Sequence, residues 1–221
     1  MRTLLKATLL ACLAFVLQAP IHGQQAVTVE TFGGLEFYLQ DANFVKDLKL
    51  TPDQLNKARV TSRQIKEKHR ADMAKLANVP KEEFPGKFEE LQKTVADATI
   101  QALGNVLKPE QIKRLKQLEL QKRGLQLFRD AEVEKQLKLT DDQKAKIKEI
   151  KETTDRELFK LVADAQGNAA KTQAVFQKRA GIDKENLEKA VALLNEDQKK
   201  VWKELVGELF EFKLIGGGVL K

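Results

Sequence analysis

Apolar residues recur at helical spacing through most of the chain. Leu55, Ala58, Ser62, Ile65, His69, Met73 and Leu76 fall on one helix face, and Ile147, Ile150, Thr154, Leu158, Leu161 and Ala165 do the same further on. Spacing of three and four residues marks an amphipathic helix that turns one stripe toward a core. Pro80 and Pro85 close the first long helix and open the next, which is predicted to run through Phe88, Leu91, Val95, Ile100 and Leu103. Gly167 and Asn168 make the matching break in the later pair. Only Ala26 to Thr31 and Phe210 to Ile215 alternate with period two, so a minor two-stranded pairing of these terminal segments is left open. The expected fold class is all-α.

Sliding the sequence against itself by 89 residues brings Asp41–Gln54 onto Asp130–Gln143 with 9 of 14 positions identical. A second pair, Leu107–Gln111 and Leu194–Gln198, lies at an offset of 87. The chain therefore reads as two related helical-hairpin halves, each with two copies of Leu-x-x-x-Gln. The four copies are Leu50 to Gln54, Leu107 to Gln111, Leu139 to Gln143 and Leu194 to Gln198.

Thr51 stands three residues before Gln54, Thr140 before Gln143 and Asn195 before Gln198, which is capping-box spacing. Pro52 suits the first helical position, and Asp53, Asp141 and Asp142 place negative charge at the positive end of the dipole. Lys108 has no side-chain acceptor, so that copy leans on Pro109 and Glu110. Each half is expected to end in a shorter helix, with Ile112, Leu115 and Leu118 matching Lys199, Trp202 and Leu205.

The first residues change the picture of where the chain works. Arg2 and Lys6 precede an apolar run from Leu9 to Leu17, followed by small and polar residues, the pattern of a secretory signal peptide. Cleavage is expected after Gly23. Leu9-Leu10-Ala11-Cys12 also resembles a lipobox, but the apolar run continues past Cys12 and favours the cleaved signal. The expected organisation is a signal peptide at 1–23, an extended segment at 24–34, helical halves at 35–125 and 126–212, and a tail at 213–221. The expected location is periplasmic or secreted.

Charge narrows the partners. The chain carries 39 Lys and Arg against 32 Asp and Glu, and the net +7 falls to +5 without the signal segment. That is low for a dedicated nucleic-acid binder, and export argues further against one. Contact with a membrane surface is expected to be peripheral at most. Residues 24 to 125 hold +4 of this excess. Arg59, Arg63, Lys66 and Arg70 form a basic ridge on the first long helix, where the equivalents are Lys148, Glu152, Asp155 and Phe159. Such a ridge is ordinarily the wet side of a helix; its functional reading is attraction of acidic partners, whether unfolded polypeptide or an anionic envelope surface.

Catalytic chemistry has little to draw on. Ser62 and Cys12 are single, and the histidines are His22 and His69. Ser62 and His69 on one helix are separated by about 10 Å, beyond hydrogen-bond reach. His69, Asp72 and Met73 share a helix face and could ligate a metal, but His69 falls in the apolar stripe opposite Leu158 of the repeat. The acid pairs Glu82-Glu83, Glu89-Glu90 and Asp141-Asp142 sit near helix starts, where dipole compensation explains them. No enzyme activity, cofactor or metal is expected.

The intact Leu50-Thr51-Pro52-Asp53-Gln54 and Leu139-Thr140-Asp141-Asp142-Gln143, with their two degenerate copies, resemble the Spy/CpxP family of periplasmic proteins. The resemblance implies a small α-helical protein that dimerises into a cradle, binds unfolded clients without ATP and in some members modulates envelope stress signalling. Family members carry the motif twice per chain. Four copies here imply a fused pseudo-dimer bundle or cradle, a monomer or weak homodimer, and the missing His, Cys and Met ligands put metal sensing in doubt. The leading expectation is an ATP-independent chaperone or stress adaptor steered by Arg59, Arg63, Lys66 and Arg70. The alternative is a structural envelope protein with one fixed partner.

Overall fold

The structure is a computed structural model that describes residues 34–80, 82–165 and 169–212. Among these residues lie ten α-helices, two 3-10 segments and no strand, so the fold is all-α. The helices are α1 (Leu35–Tyr38), α2 (Ala42–Asp47), α3 (Pro52–Lys68), α4 (Arg70–Lys75), α5 (Phe84–Leu103), α6 (Pro109–Arg123), α7 (Ala131–Leu137), α8 (Asp141–Ala165), α9 (Ala169–Ala192) and α10 (Glu196–Val206). Leu76–Asn78 and Gly124–Arg129 are 3-10. The signal segment, Cys12, the Ala26 to Thr31 alternation, Gly167-Asn168 and the tail at 213–221 lie outside the described residues. So does the end of the Phe210 to Ile215 alternation, whose first three residues are described as irregular chain.

The repeated sequence builds the same backbone twice. The Asp41 carboxylate accepts from the Asn43 amide at 2.7 Å and starts α2, and Asp130 accepts from the Glu132 amide at 3.0 Å and starts α7. Both short helices stop on a lysine in the left-handed region, Lys49 and Lys138, each at φ 51°. The Leu50 amide then bonds the Val45 carbonyl, and the Leu139 amide the Glu134 carbonyl, both at 3.2 Å, the six-to-one bond of a Schellman ending. Thr51 and Thr140 follow at once as caps of the long helices.

The first long helix departs from the expected single run. It breaks at His69, whose φ of −95° and ψ of 9° leave the helical region between α3 and α4. The His69 amide is shared between the carbonyls of Ile65 at 3.2 Å and Lys66 at 3.1 Å. An imidazole in the apolar stripe carries polar atoms that an apolar core cannot satisfy. It stays partly exposed and its Nδ1 turns to the Asp72 carboxylate at 3.3 Å, while Met73 is fully buried. Leu158 has no such demand, and α8 runs unbroken for 25 residues.

The chain forms two compact units. The first includes the described residues through Lys116 together with Glu211 and Phe212, and the second is Gln117–Phe210. The division thus falls inside α6 instead of between residues 125 and 126. The reason is packing: Leu120, Leu125, Leu127 and Phe128 join the core of the second unit. In the first unit α3 packs on α5, and Ile65, Met73, Leu76 and Val95 form a core flanked by the stacked rings of Phe84 and Phe88. In the second, α8 packs on α9 and the Trp202 indole stacks on Phe128 with centroids 4.8 Å apart.

Candidate functional site

The four motif glutamines do more than cap helices. In the first unit Gln54 Nε2 donates to Gln111 Oε1 at 2.9 Å, and Gln111 Nε2 donates back to Gln54 Oε1 at 3.1 Å. In the second, Gln143 and Gln198 exchange the same two bonds at 2.7 and 2.9 Å. Each amide is saturated from its surroundings. Gln54 Oε1 accepts from the Thr51 amide and Gln54 Nε2 reaches the Val106 carbonyl; Gln143 Oε1 accepts from the Thr140 amide and Gln143 Nε2 reaches the Leu193 carbonyl.

Gln111 Nε2 also donates to the carbonyls of Leu48 and Lys49, and Gln198 Nε2 to that of Lys138. Asn195 and Gln198 complete a capping box. Although Lys108 offers no side-chain acceptor, its amide still donates to Gln111 Oε1 at 2.9 Å. One motif copy is therefore clamped to the other within each unit. Leu107, Leu139 and Leu194 are buried beside these clamps, whereas Leu50 is half-exposed. The spacing revealed the caps, but amide pairs more than fifty positions apart in sequence left no local signal.

The basic ridge is engaged within the first unit. Arg59 Nη2 donates to the Leu39 carbonyl at 2.9 Å, at the end of α1. Arg63 Nη2 bonds Glu36 Oε1 at 2.5 Å, and Lys66 Nζ stands 3.9 Å from Glu36 Oε2. Lys66 is only 5% exposed, so its stem lies along apolar surface. Arg70 forms a two-pronged pair with Glu67 on the neighbouring turn. Three of the four cations thus hold α1 against α3. The signal that could have shown this was Glu36, the carboxylate just ahead of the repeat.

Apolar side chains stand out of the long helices beside these charges. Val60 is 55% exposed on α3, in a shallow patch with Arg63, Gln64, Glu67 and Lys68. Phe159 is 69% exposed on α8. His69 and Asp72 do form a pair, and the Lys75 hydrogen bond, followed by that of His69, holds the Asp72 carboxyl below its ordinary pKa. Met73 is fully buried in the core, whereas His69 and Asp72 are partly exposed. Among the described residues no cluster of three or more His, Cys, Asp or Glu is placed to hold a metal ion. No described helix is long and apolar enough to cross a membrane.

These features define an all-α protein of two clamped helical units with exposed apolar and basic helix faces. Comparison of the chain with protein-family models, with curated proteins and with solved structures gives no match.

Proposed function

We propose that the chain is an exported, ATP-independent client-binding protein of the chaperone or stress-adaptor kind, related to the Spy/CpxP proteins by its four motifs. The observation that carries the reading is the mid-helix exposure of Val60 and Phe159 at 55% and 69%, Val60 beside Arg63, Glu67 and Lys68 and Phe159 on a helix stretch with exposed Asp155, Arg156 and Lys160. Large apolar groups that no core claims, ringed by solvated charge, offer loose and reversible contact to partly unfolded polypeptide. The clamped motifs keep the helices rigid while such clients come and go. Arg59, Arg63 and Lys66 act mainly by fixing α1, and the ridge steers acidic clients through what remains of its long-range field.

The test is suppression of aggregation of chemically denatured, unrelated proteins, without nucleotide, at low and high salt. Suppression near stoichiometric ratios and weakened by salt is expected. A well-folded sample that suppresses nothing at either salt overturns the reading and favours a scaffold with one fixed partner.

A further inference from the structure

The two units differ in chemistry at a place where their backbones agree. In the first, Val45 of α2, Leu50 of the linker and Leu55 of α3 floor a shallow open depression of about 570 Å³, rimmed by Lys46, Lys49 and Arg59. All three floor residues are half-exposed, and both lysines are exposed. No carboxylate lines the depression. Neither lysine ammonium has an ion-pair partner among the described residues.

At the repeat offset Val45 corresponds to Glu134, Leu50 to Leu139 and Leu55 to Lys144. Lys144 Nζ and Glu134 Oε2 form an ion pair at 3.0 Å, and Leu139 is 8% exposed. The second unit therefore carries its own carboxylate where the first presents bare apolar surface under a basic rim.

We propose that this depression is a docking groove for a short polypeptide segment with apolar side chains flanked by carboxylates. The inference deepens the client-binding reading and rests on it for the occupant being polypeptide; the sign of charge comes from the groove itself. Three cations with no lining anion set a positive field over an apolar floor, and an acidic, apolar segment complements both. Its carboxylates take the place that Glu134 fills in the second unit, and its apolar side chains cover Val45, Leu50 and Leu55.

The second unit also supplies the decisive variant. Val45→Glu with Leu55→Lys writes its ion pair into the first unit on a backbone that already accommodates it. Lys46→Gln with Lys49→Gln removes the rim and leaves the floor intact. The probe is a short fluorescein-labelled peptide of alternating Leu and Glu, read by anisotropy against its Leu and Lys counterpart, with circular dichroism as the check on folding.

The acidic peptide is expected to bind the wild type, more weakly at high salt. The paired graft is expected to weaken it about tenfold or more, and the rim variant to weaken it less while flattening the salt dependence. Equal binding by a folded graft, or equal binding of the Lys peptide, overturns the groove. So does a concentration-dependent dimer that the graft abolishes without any peptide binding, since the occupant is then a second copy. Aggregation suppression measured on the same samples separates the two ideas. Suppression kept by a graft whose peptide binding is also undiminished overturns the groove alone. A wild type that suppresses nothing yet binds the acidic peptide, with the graft losing it, overturns the client-binding reading and leaves the groove standing.

Discussion

The two units fasten the segment ahead of their repeated motif with different balances of charge and burial. In the first, α1 is held by Glu36 against Arg63 and Lys66, with Arg59 on the Leu39 carbonyl. At the repeat offset Glu36 becomes Leu125 and Leu39 becomes Phe128, and the second unit buries both in its core, with Phe128 under Trp202. Arg59, Arg63 and Lys66 of α3 correspond to Lys148, Glu152 and Asp155 of α8, which are spent on pairs internal to that helix, Lys148 with Glu152 and Lys151 with Asp155. Both segments bury apolar side chains, Leu35 and Leu39 in the first unit and Leu125, Leu127 and Phe128 in the second, but the first adds ties to the cations of its long helix where the second adds further burial. Ionic fastening is weak and screened by salt, whereas burial is stronger and indifferent to it.

The largest effect should come from breaking what the units share. Gln198→Ala removes an acceptor for the Asn195 amide, takes both clamp bonds from the partly buried Gln143 amide and leaves the Lys138 carbonyl without its donor, so a loss of about 2 kcal/mol is expected. Trp202 is the only tryptophan and lies in the second unit, so its fluorescence during urea unfolding reads this directly. An unchanged midpoint would mean that the amide clamp is decorative. Leu125→Ala should cost about 2 kcal/mol by the same readout, with no dependence on salt.

Glu36→Gln is the matching change in the first unit. Its loss should be smaller than that of Leu125→Ala and should vanish as salt approaches about 1 M, where screening reaches about 3 Å. A Glu36→Gln loss that persists at high salt would break the contrast between the two fastenings. Lys138→Gly and Lys49→Gly should each raise stability by about 0.5 kcal/mol, because glycine accepts the left-handed φ of 51° without strain.

The smallest effect concerns acid. Asp72 is held below its ordinary pKa by Lys75 first and His69 second, so its contribution is present above the ordinary carboxylate range and is lost as pH falls through the lowered value. Carboxyl NMR should place the Asp72 midpoint below that of an exposed aspartate, and Lys75→Gln should move it up. Since α8 carries Leu161 in place of Asp72, no counterpart titration is expected in the second unit.

Much of the fold was legible in the residues themselves. Helical spacing, capping boxes at Thr51, Thr140 and Asn195 and the break at Pro80 and Pro85 are local features, and local features declare themselves within a few positions. The repeat at offset 89 announced two related halves for the same reason. His69 shows where such reading ends: the stripe placed it correctly on the apolar face, but whether an imidazole there continues the helix or bends it depends on what surrounds its polar atoms.

The candidate site was less legible, because long-range partners decide it. The basic ridge was visible as four spaced cations, yet its attachment to Glu36 and the Leu39 carbonyl depends on α1 folding back on α3. The glutamine pairs and the contrast between Val45 with Leu55 and Glu134 with Lys144 likewise join residues that only chain folding brings together. The amino-acid order by itself determined the all-α class, the helix starts and the twofold repeat, since these follow from backbone caps and periodicity. Tertiary structure alone decided which amides clamp, which charges are already spent on the protein and which apolar groups are left for a partner, because each of these is a property of neighbours distant in sequence.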